Sequence, residues 1–284
     1  MKKFVKLGFV MLVAMAFVFM GCKHENGESE SETNPGIEGS TVFIRGKNIT
    51  IRPTLWACDH EVTQAEYQTV MGTNPSYYKD NPASGETQTN RPVENVSWYD
   101  CLVYCNKRSI DEKLTPCYKI NGKTNPAEWG EIPTSSNSTW DAVACNFEAN
   151  GYRLPTEAEW EYLARGGNLT NSGQTLYSGS DTIGDVAWYL DNSGYKSHEV
   201  KKKEPNALGL YDMSGNVFEW CWDWYGAIGN NSTSFGSSLD QCRVARGGCM
   251  GHNADGCRIA FRGYDYPQYG YPGGGFRVVR STQE

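Results

Sequence analysis

The sequence predicts one compact, loop-rich domain that contains both short helices and short strands. Helix start signals occur at three places in the first two thirds of the chain, strand-like segments lie near both ends of the domain, and long stretches show neither pattern. Aromatic residues make up 13% of the 284 residues, so we expect an interior filled with rings. Without the N-terminal segment, the remaining ~240 residues are enough for one domain with a full core.

The first 21 residues have the pattern of a bacterial export signal. Three Lys residues accompany an apolar run over residues 7–20, which is shorter than the ~20 apolar residues of a spanning helix. The run ends in Phe-Met-Gly-Cys, which resembles a lipobox and predicts cleavage before Cys22 and acylation of its thiol; the alternative is an ordinary signal peptide with an incidental Cys. An acyl chain anchors a protein without spanning the membrane. We therefore expect a lipoprotein of the bacterial envelope, at the outer membrane or cell surface.

Residues 22–40 predict a flexible tether between this anchor and the folded domain, residues 41–284. The stretch HENGESESETNPGIEG, residues 24–39, is acidic and polar and contains Gly and Pro. Such a stretch cannot build a core and behaves as a flexible linker. We expect it to hold the domain away from the membrane surface.

The net charge bears on the class of binding partner, and the cysteine content bears on disulfide formation. The formal net charge of −7 argues against nucleic acid as a partner. Besides Cys22, nine Cys remain, which is an odd number, and no Cys-x-x-Cys pair occurs. An exported protein can form disulfides, but connectivity does not follow from sequence, so no specific bridge is predicted.

Three capping boxes predict the starts of helices inside the domain. They lie at 63–66, 97–100 and 156–159; the first helix (64–71) is expected to stop at Gly72 and the third to run to Arg165. Alternation predicts strands at 41–45 and 48–56 around a turn, and the last third predicts strands at 242–248, 257–262 and 276–280. The Asn-, Ser- and Pro-rich stretch 113–150 predicts an irregular surface loop.

Three long stretches carry a resemblance to a known family. They are GYRLPTEAEWEYLARGG (151–167), NALGLYDMSGNVFEWCWDWY (206–225), and RVARGG with the later CRIAFR and GGFRVVR (243–280). Together with HEVTQAEY (60–67) and RPVENVSWYDC (91–101), they resemble the formylglycine-generating enzyme (sulfatase-modifying factor) family over most of residues 41–280. The resemblance implies an α+β, C-type-lectin-like fold with sparse regular secondary structure.

The resemblance also implies a structural calcium site, the one cofactor we consider. Some members bind calcium through side chains at the positions of Asp212 and Glu219 and through backbone oxygens at Gly215 and Val217. Two carboxylates and two carbonyls suit a hard cation. Members often have Asn in place of Asp212, which keeps an oxygen ligand. The alternative is that both carboxylates only shape the turn and the core.

The oxidase chemistry of this family is poorly matched. Its enzymes hold Cu(I) with two thiolates five residues apart after Arg-Gly-Gly, and soft sulfur ligands suit Cu(I). Cys249 and Cys257 lie in that segment, but counting from Arg-Gly-Gly places the first catalytic position on His252. Cys257 is more simply a strand residue packed inward. We expect no enzyme activity and no catalytic residues; the alternative is an extracytoplasmic oxidase of the formylglycine-generating kind.

A second enzymatic branch, which holds non-haem iron with three His, is also unsupported. The chain has four His, and no His-x-x-x-His occurs: His24, His60, His198 and His252. His24 falls in the tether, so too few remain in a suitable pattern. Nucleophile-elbow and phosphate-loop patterns are absent from the sequence as well.

The stretch 249–275, CMGHNADGCRIAFRGYDYPQYGYPGGG, has the composition of a binding surface. It lacks Lys, Glu, Leu, Val, Ser and Thr and is crowded with Gly, Tyr, Asp and Asn between two strand-like segments. Tyr provides a large amphipathic contact area at low entropy cost, and small polar residues provide adaptable hydrogen bonds. Ligand binding is therefore the first functional hypothesis.

The same stretch resembles the variable region of proteins diversified by retroelements, some of which use this scaffold. Variable positions in that class arise when adenines in a template copy of the segment, chiefly those in Asn codons, are replaced. Met250 and Gln268 cannot arise from an Asn codon in this way, so they require a different template codon. We call residues 249–274 the display segment and expect it to bind a protein or another cell-surface molecule; the alternative is a fixed, irregular surface loop. The predicted ligand-binding residues are Cys249, Met250, Gly251, His252, Asn253, Asp255, Gly256, Phe261, Gly263, Tyr264, Asp265, Tyr266, Gln268, Tyr269, Tyr271 and Gly273. The residues expected to belong to the scaffold are Ala254, Cys257, Arg258, Ile259, Ala260, Arg262, Pro267, Gly275, Phe276 and Arg277.

Overall fold

The structure is a computed structural model that describes residues 41–44, 47–50, 55–167, 173–226 and 241–281, the first two stretches by their backbone alone. The predicted export signal, the acylation site at Cys22 and the tether lie outside these residues. Within them, no helix has the length and apolar character that crossing a bilayer requires.

Five helices occur in the described residues, and most of them are short. They are α1 (Gln64–Met71), α2 (Trp98–Asp111), α3 (Ser138–Asp141), α4 (Glu157–Ala164) and α5 (Ile183–Val186), with 3-10 turns at Gln88–Asn90, Pro126–Glu128 and Ala254–Cys257.

The three predicted helix starts are confirmed. Thr63, Ser97 and Thr156 each accept a hydrogen bond from the backbone N–H three residues later, and that residue's carboxylate accepts one from the cap's own N–H. Helix α1 also ends as predicted at Gly72, whose φ of 79° lies in the left-handed region that glycine tolerates.

The strands are short and form several small sheets. In chain order they are β1 (Thr41–Ile44), β2 (Lys47–Thr50), β3 (Leu55–Ala57), β4 (Tyr118–Lys119), β5 (Ala144–Cys145), β6 (Tyr152–Arg153), β7 (Phe218–Trp224), β8 (Arg243–Arg246), β9 (Arg262–Asp265), β10 (Gly274–Gly275) and β11 (Val279–Ser281).

The largest sheet has the strand order β10-β7-β8-β9, in which β10 runs parallel to β7 and the other neighbours are antiparallel. A second sheet, β3-β11-β6, pairs the end of the chain with the beginning of the domain. Strands β1 and β2 pair with each other, as do β4 and β5. This mixture of short helices and small sheets is the sparse α+β architecture that was expected.

Two of the strands predicted in the last third are wrong in position, whereas 242–248 contains β8. The stretch 257–262 is not a strand, because the Asn253 side chain caps a 3-10 turn at Ala254–Cys257 and the strand β9 begins only at Arg262. Of the predicted strand 48–56, the described residues lie in β2 and β3, and residues 51–54 are outside the described residues; of the predicted strand 276–280, only Val279 and Arg280 lie in a strand, β11. The irregular stretch 113–150 contains α3 and the β4–β5 pair.

Strand β7 was missed, although it is central to the largest sheet. In its sequence, FEWCWDW, the charged residues Glu219 and Asp223 do not mark a solvent-facing side. Both are as buried as the aromatic residues between them. Trp98 on α2 donates its indole N–H to the Cys221 carbonyl at 2.9 Å, and Trp220 donates to the Val96 carbonyl at 3.0 Å. These bonds fix α2 against the sheet that positions the display segment.

Candidate functional site

The display segment is attached to the largest sheet at several points. It follows β8, forms the turn Ala254–Cys257, returns as β9 with Val244 opposite Tyr264, and ends where Gly274 pairs with Phe218. Between these points, the Pro267 carbonyl accepts a bond from the Tyr99 N–H at 3.4 Å. The backbone of the display segment is therefore held by the domain at both ends and near Pro267.

The predicted ligand-binding residues divide into three groups by exposure. Seven are exposed: Gly251, Asn253, Asp255, Phe261, Tyr264, Tyr266 and Tyr269. Five are half-buried: His252, Gly263, Asp265, Gln268 and Tyr271. Four are buried and support the surface from beneath: Cys249, Met250, Gly256 and Gly273.

Aromatic rings dominate the exposed part of the segment. Tyr264 is 58% exposed, Tyr269 51%, Tyr266 42% and Phe261 37%, which is unusual for residues of this size. The rings of Tyr266 and Tyr269 lie edge to face with centroids 5.8 Å apart. These exposed rings offer apolar area together with tyrosine hydroxyl groups, a combination that is common at binding surfaces.

The expected scaffold residues differ in burial: Cys257, Ile259 and Pro267 are buried, and Ala254 and Arg262 are half-buried. Ile259 is 1% exposed and donates its N–H to the Leu176 carbonyl at 3.0 Å, and Phe276 has no exposed surface. Arg258 and Ala260, which were also assigned to the scaffold, are instead exposed. The Arg258 guanidinium lies 2.7 Å from the Asp255 carboxylate, so it belongs to the surface.

Two loops outside the display segment extend the same surface, and the sequence alone did not identify them. Tyr77 is 67% exposed and Tyr195 is 66% exposed. Tyr195 donates its N–H to the Ser193 hydroxyl, which donates to the Met250 carbonyl at 2.7 Å. On the other side, the Asn95 N–H donates to the Tyr271 carbonyl at 3.1 Å.

The loop that carries Tyr77 is bonded to Asn95 in turn. The Asn95 side chain donates to the Pro75 carbonyl at 3.0 Å, and Lys196 donates to the Asn81 carbonyl at 3.4 Å, which joins the two loops. We call residues 74–81 and 189–198 the flanking loops. In the sequence, the only indication of these loops is a Tyr in a stretch without helix or strand pattern. Such a Tyr does not indicate which distant segment it will lie beside.

The two cysteines of the segment do not form a thiolate pair. The Cys249 Sγ lies 3.0 Å from His252 Nδ1, whereas the Cys257 Sγ is directed to the Cys249 carbonyl at 3.9 Å. Burial raises the pKa of the Cys249 thiol, and it raises the pKa of the Cys257 thiol to about 12. Cys257 packs inward as predicted, although it lies in a turn and not in a strand.

The predicted calcium ligands lie in and after one buried turn. Asp212 accepts a bond from the Lys201 N–H through Oδ2 at 2.8 Å, while its buried Oδ1 has no hydrogen-bond partner. Glu219, by contrast, accepts from Arg277 through both oxygens at 2.6 Å and from the Trp160 indole at 2.7 Å. Both oxygens of Glu219 therefore accept hydrogen bonds, whereas Asp212 has one oxygen without a hydrogen-bond partner.

Glu61 adds a third carboxylate to this cluster, and sequence analysis missed it. It accepts a bond from the Val217 N–H at 3.0 Å. Burial, together with the negative charges of Asp212 and Glu219, raises the pKa of Glu61 well above its usual range. Burial also raises the pKa of Asp212 to about 6. The negative charges of Asp212 and Glu219 lie close enough to Glu61 to raise its pKa even beside Arg277, and a divalent cation would reduce this repulsion.

The residues fit calcium on the Asp212 side of the cluster. Asp212 Oδ1 is an anionic oxygen without a partner, and the Gly215 and Val217 carbonyls belong to the same turn, which is the donor chemistry that calcium prefers. Glu219 would bind calcium only in competition with Arg277. Calcium binding stays a prediction.

Known proteins resemble this chain over most of its length. Residues 18–282 match the family described as Sulfatase-modifying factor enzyme 1-like domain. The chaperone protein LppX of Paenibacillus barcinonensis is 36% identical over 95% of this chain and 97% of its own length. The formylglycine-generating enzyme of Thermomonospora curvata is 28% identical over 72% of this chain and 61% of its own length.

A solved structure confirms the fold. Treponema denticola variable protein 1 superposes with a TM-score of 0.77 at 39% identity, covering 86% of this chain and 92% of that chain. The expected α+β, C-type-lectin-like architecture is thus confirmed. The chain belongs to the sulfatase-modifying factor family, which includes the formylglycine-generating enzymes.

Proposed function

We propose that this chain is an envelope lipoprotein that presents a diversified ligand-binding surface. The observation that supports this most directly is the contrast within the display segment. Its backbone is bonded into the largest sheet, whereas the rings of Phe261, Tyr264, Tyr266 and Tyr269 are exposed. The similarity to Treponema denticola variable protein 1, at 39% identity, agrees with this function.

The proposed mechanism relies on preorganisation. Because the scaffold orders the loop backbones before a ligand arrives, binding does not have to order them. Changes at exposed positions remove little core burial, so the surface can vary without loss of the fold. The flanking loops, with Tyr77 and Tyr195, would supply a constant part of the surface beside the variable one.

The ligand that we propose is a protein. Exposed Tyr residues spread over the display segment and both flanking loops make a broad surface, and tyrosines are enriched at protein interfaces. The relative LppX is named as a chaperone protein, a kind of protein that acts on other proteins.

A comparison of DNA sequences tests the diversification directly. The region around the gene is searched for a near-copy of the segment coding for residues 249–280 beside a reverse transcriptase gene. We expect the two copies to differ almost only at adenines of the template, with the codons of Ile259, Pro267 and Phe276 unchanged. The absence of a copy, or differences spread equally over all four bases, would refute the proposal.

Anchoring through Cys22 is a separate part of the proposal. Cells that express the full chain are grown with an alkyne-bearing fatty acid, and the protein is isolated from the membrane fraction. The wild-type chain is expected to carry the label, and a Cys22→Ala variant is expected to lose it. Equal labelling of both chains would mean that the anchor is elsewhere.

A chaperone role is the second candidate, and the full-length similarity to LppX favours it. The test is light scattering from a chemically denatured client enzyme diluted into buffer with the purified chain. Suppression of aggregation at equimolar concentration would favour this role, provided that albumin at the same concentration has no effect.

Oxidase activity is the remaining alternative, since the family includes formylglycine-generating enzymes. The thiols of Cys249 and Cys257 face different partners, so we propose that the chain is not an enzyme. Mass spectrometry of a cysteine peptide from a sulfatase, incubated with the copper-loaded chain, is expected to show no formylglycine. Turnover of the peptide would overturn this conclusion.

A further inference from the structure

The buried imidazole of His198 has a hydrogen-bond acceptor at each of its two ring nitrogens. Its Nδ1 lies 2.7 Å from Glu86 Oε1, and its Nε2 lies 2.8 Å from the Ser193 carbonyl oxygen. A carboxylate and a carbonyl can only accept, so the two bonds together require a hydrogen on both nitrogens. A neutral imidazole carries only one N–H, and the arrangement is therefore that of the charged, doubly protonated ring.

The Glu86 carboxylate is the charged partner of this ring. The side chains of His198 and Glu86 are only 8% and 7% exposed, so water screens their interaction little. The other Glu86 oxygen lies 3.8 Å from Arg91 Nε and accepts a bond from the Glu199 N–H at 3.4 Å. The Glu199 carboxylate itself accepts from the Thr87 N–H at 2.7 Å.

Aromatic and amide groups surround the rest of the ring. The Trp188 indole stacks on the imidazole with ring centroids 3.9 Å apart, and the Lys203 ammonium lies 4.2 Å from the centroid of that indole. The His198 N–H donates to Asn216 Oδ1 at 2.9 Å, and the Asn216 amide donates to Glu61 at 2.7 Å. These contacts fix the position of the ring, so a change in its protonation has to be met by its hydrogen-bond partners.

Ser193 connects the imidazole to the proposed binding surface. Its carbonyl is the acceptor for His198, while its hydroxyl donates to the Met250 carbonyl in the display segment at 2.7 Å. The same hydroxyl accepts from the N–H of Tyr195, the exposed tyrosine of this flanking loop, at 3.1 Å. One residue therefore carries the bond to the imidazole, the bond to the display segment and the bond that places Tyr195.

We propose that His198 is a proton-dependent clasp for the flanking loop that carries Tyr195. When the ring loses one proton to solvent, the remaining N–H stays with Glu86, because a bond to a carboxylate is stronger than one to a neutral carbonyl. Nε2 then presents a lone pair to the Ser193 carbonyl, and two acceptors without a hydrogen between them separate. The loop is thus held at low pH and released as the pH rises. Regulation of ligand binding by this release rests on the proposed function.

Nuclear magnetic resonance of the full chain tests the state of the ring. The chain has four His, so labelling with ¹⁵N-histidine gives four imidazole signals, and a His198→Asn variant identifies the one of interest. From about pH 5 to about pH 8, the range in which His ordinarily titrates, we expect the His198 ring to lose the proton on Nε2 and to keep the one on Nδ1. An unchanged protonation state over this range, or loss from Nδ1 first, would overturn the proposal.

Amide hydrogen exchange tests the release of the loop. After correction for the intrinsic effect of pH, the peptide covering residues 189–198 is expected to exchange about threefold to tenfold faster at the upper pH, the factor that corresponds to one hydrogen bond. His198→Asn should exchange at the fast rate at both pH values. Asp191→Asn, at an exposed charge in the same loop, is the matched control and should keep the wild-type response.

The wild-type measurements decide the outcome even if His198→Asn does not fold, which far-UV circular dichroism would reveal. Proton loss without faster exchange of residues 189–198 would overturn the clasp, as would a folded His198→Asn variant that keeps the wild-type response. Neither measurement uses a ligand, a lipid anchor or a template copy of the gene. Failure of the clasp is therefore distinguishable from failure of the proposed function.

Discussion

Glu219 and Arg277 form a bidentate ion pair in which neither side chain has any exposed surface. Arg277 also donates to the Cys58 carbonyl at 3.2 Å and to the Tyr211 carbonyl at 2.9 Å. The pair therefore joins β7 to the chain that follows β10 and to two more distant segments. The pair therefore links strand β7, which pairs with the strand before the display segment, to the residues that follow the segment.

Removing one partner of this pair is expected to be severely destabilising. Arg277→Met leaves the Glu219 carboxylate buried with only the Trp160 indole as partner, and loss of one member of a buried pair costs about 3–5 kcal/mol. The measurement is the free energy of unfolding from urea titration. Glu128→Gln is the control, because the Lys123–Glu128 pair is 58% and 47% exposed and is worth no more than about 1 kcal/mol. A similar cost for both variants would contradict this account of the buried pair.

Calcium is expected to raise the melting temperature through Asp212. Binding to the folded state stabilises it by mass action, and one added ligand at a hundred times its dissociation constant contributes about 2.7 kcal/mol. Thermal melting is measured with millimolar calcium and then with excess chelator, and magnesium serves as the control ion. Asp212→Ala is expected to abolish the difference. If the chelator leaves the wild-type melting temperature unchanged, the calcium site predicted from the family is wrong.

Asp223 is expected to make the domain less stable as the pH rises from about 4 to about 7. Burial, with the Glu157 charge nearby, raises the pKa of Asp223 from 3.8 to about 7, against a smaller opposing effect of Arg243. Above pH 4 the unfolded chain has released this proton and the folded chain has not, so the free energy of unfolding falls by ~1.4 kcal/mol per unit until about pH 7. Above pH 7 this contribution is constant.

The variant Asp223→Asn tests this pH dependence. Asn keeps an oxygen that can accept the bond that the Glu157 N–H donates at 2.6 Å, but it does not titrate. The variant is expected to gain stability relative to wild type at pH 7.5 and to differ little at pH 4, measured by urea unfolding. Asp255→Asn, at an exposed residue, should keep the wild-type profile. An unchanged profile for Asp223→Asn would show that another group is responsible.

Exposed and buried positions of the display segment are expected to differ in their tolerance of substitution. Tyr264→Ser and Tyr269→Ser remove rings that are more than half exposed, so each should change the free energy of unfolding by less than about 1 kcal/mol. Ile259→Ala removes a side chain that is 1% exposed and should cost about 2–5 kcal/mol. Equal costs would contradict the division into surface and scaffold on which the proposed function depends.

Features that depend only on neighbouring residues were predictable from the amino-acid order. Thr63, Ser97 and Thr156 start helices because each cap needs only a partner three residues later, and Gly72 ends α1 because glycine tolerates a positive φ. The family and its fold also followed from long local motifs, and the comparisons confirm them. The tyrosine-rich composition indicated where to look for a surface.

Which residues share that surface depends on packing between segments that are far apart in the chain. Strand β7 escaped prediction because it is buried on both sides, and the turn Ala254–Cys257 replaced a predicted strand because Asn253 caps it. The flanking loops, the contact of Cys249 with His252 and the place of Glu61 beside Asp212 depend on residues brought together by packing. Burial and long-range hydrogen bonds depend on the whole fold, whereas caps and turns depend on a few adjacent residues.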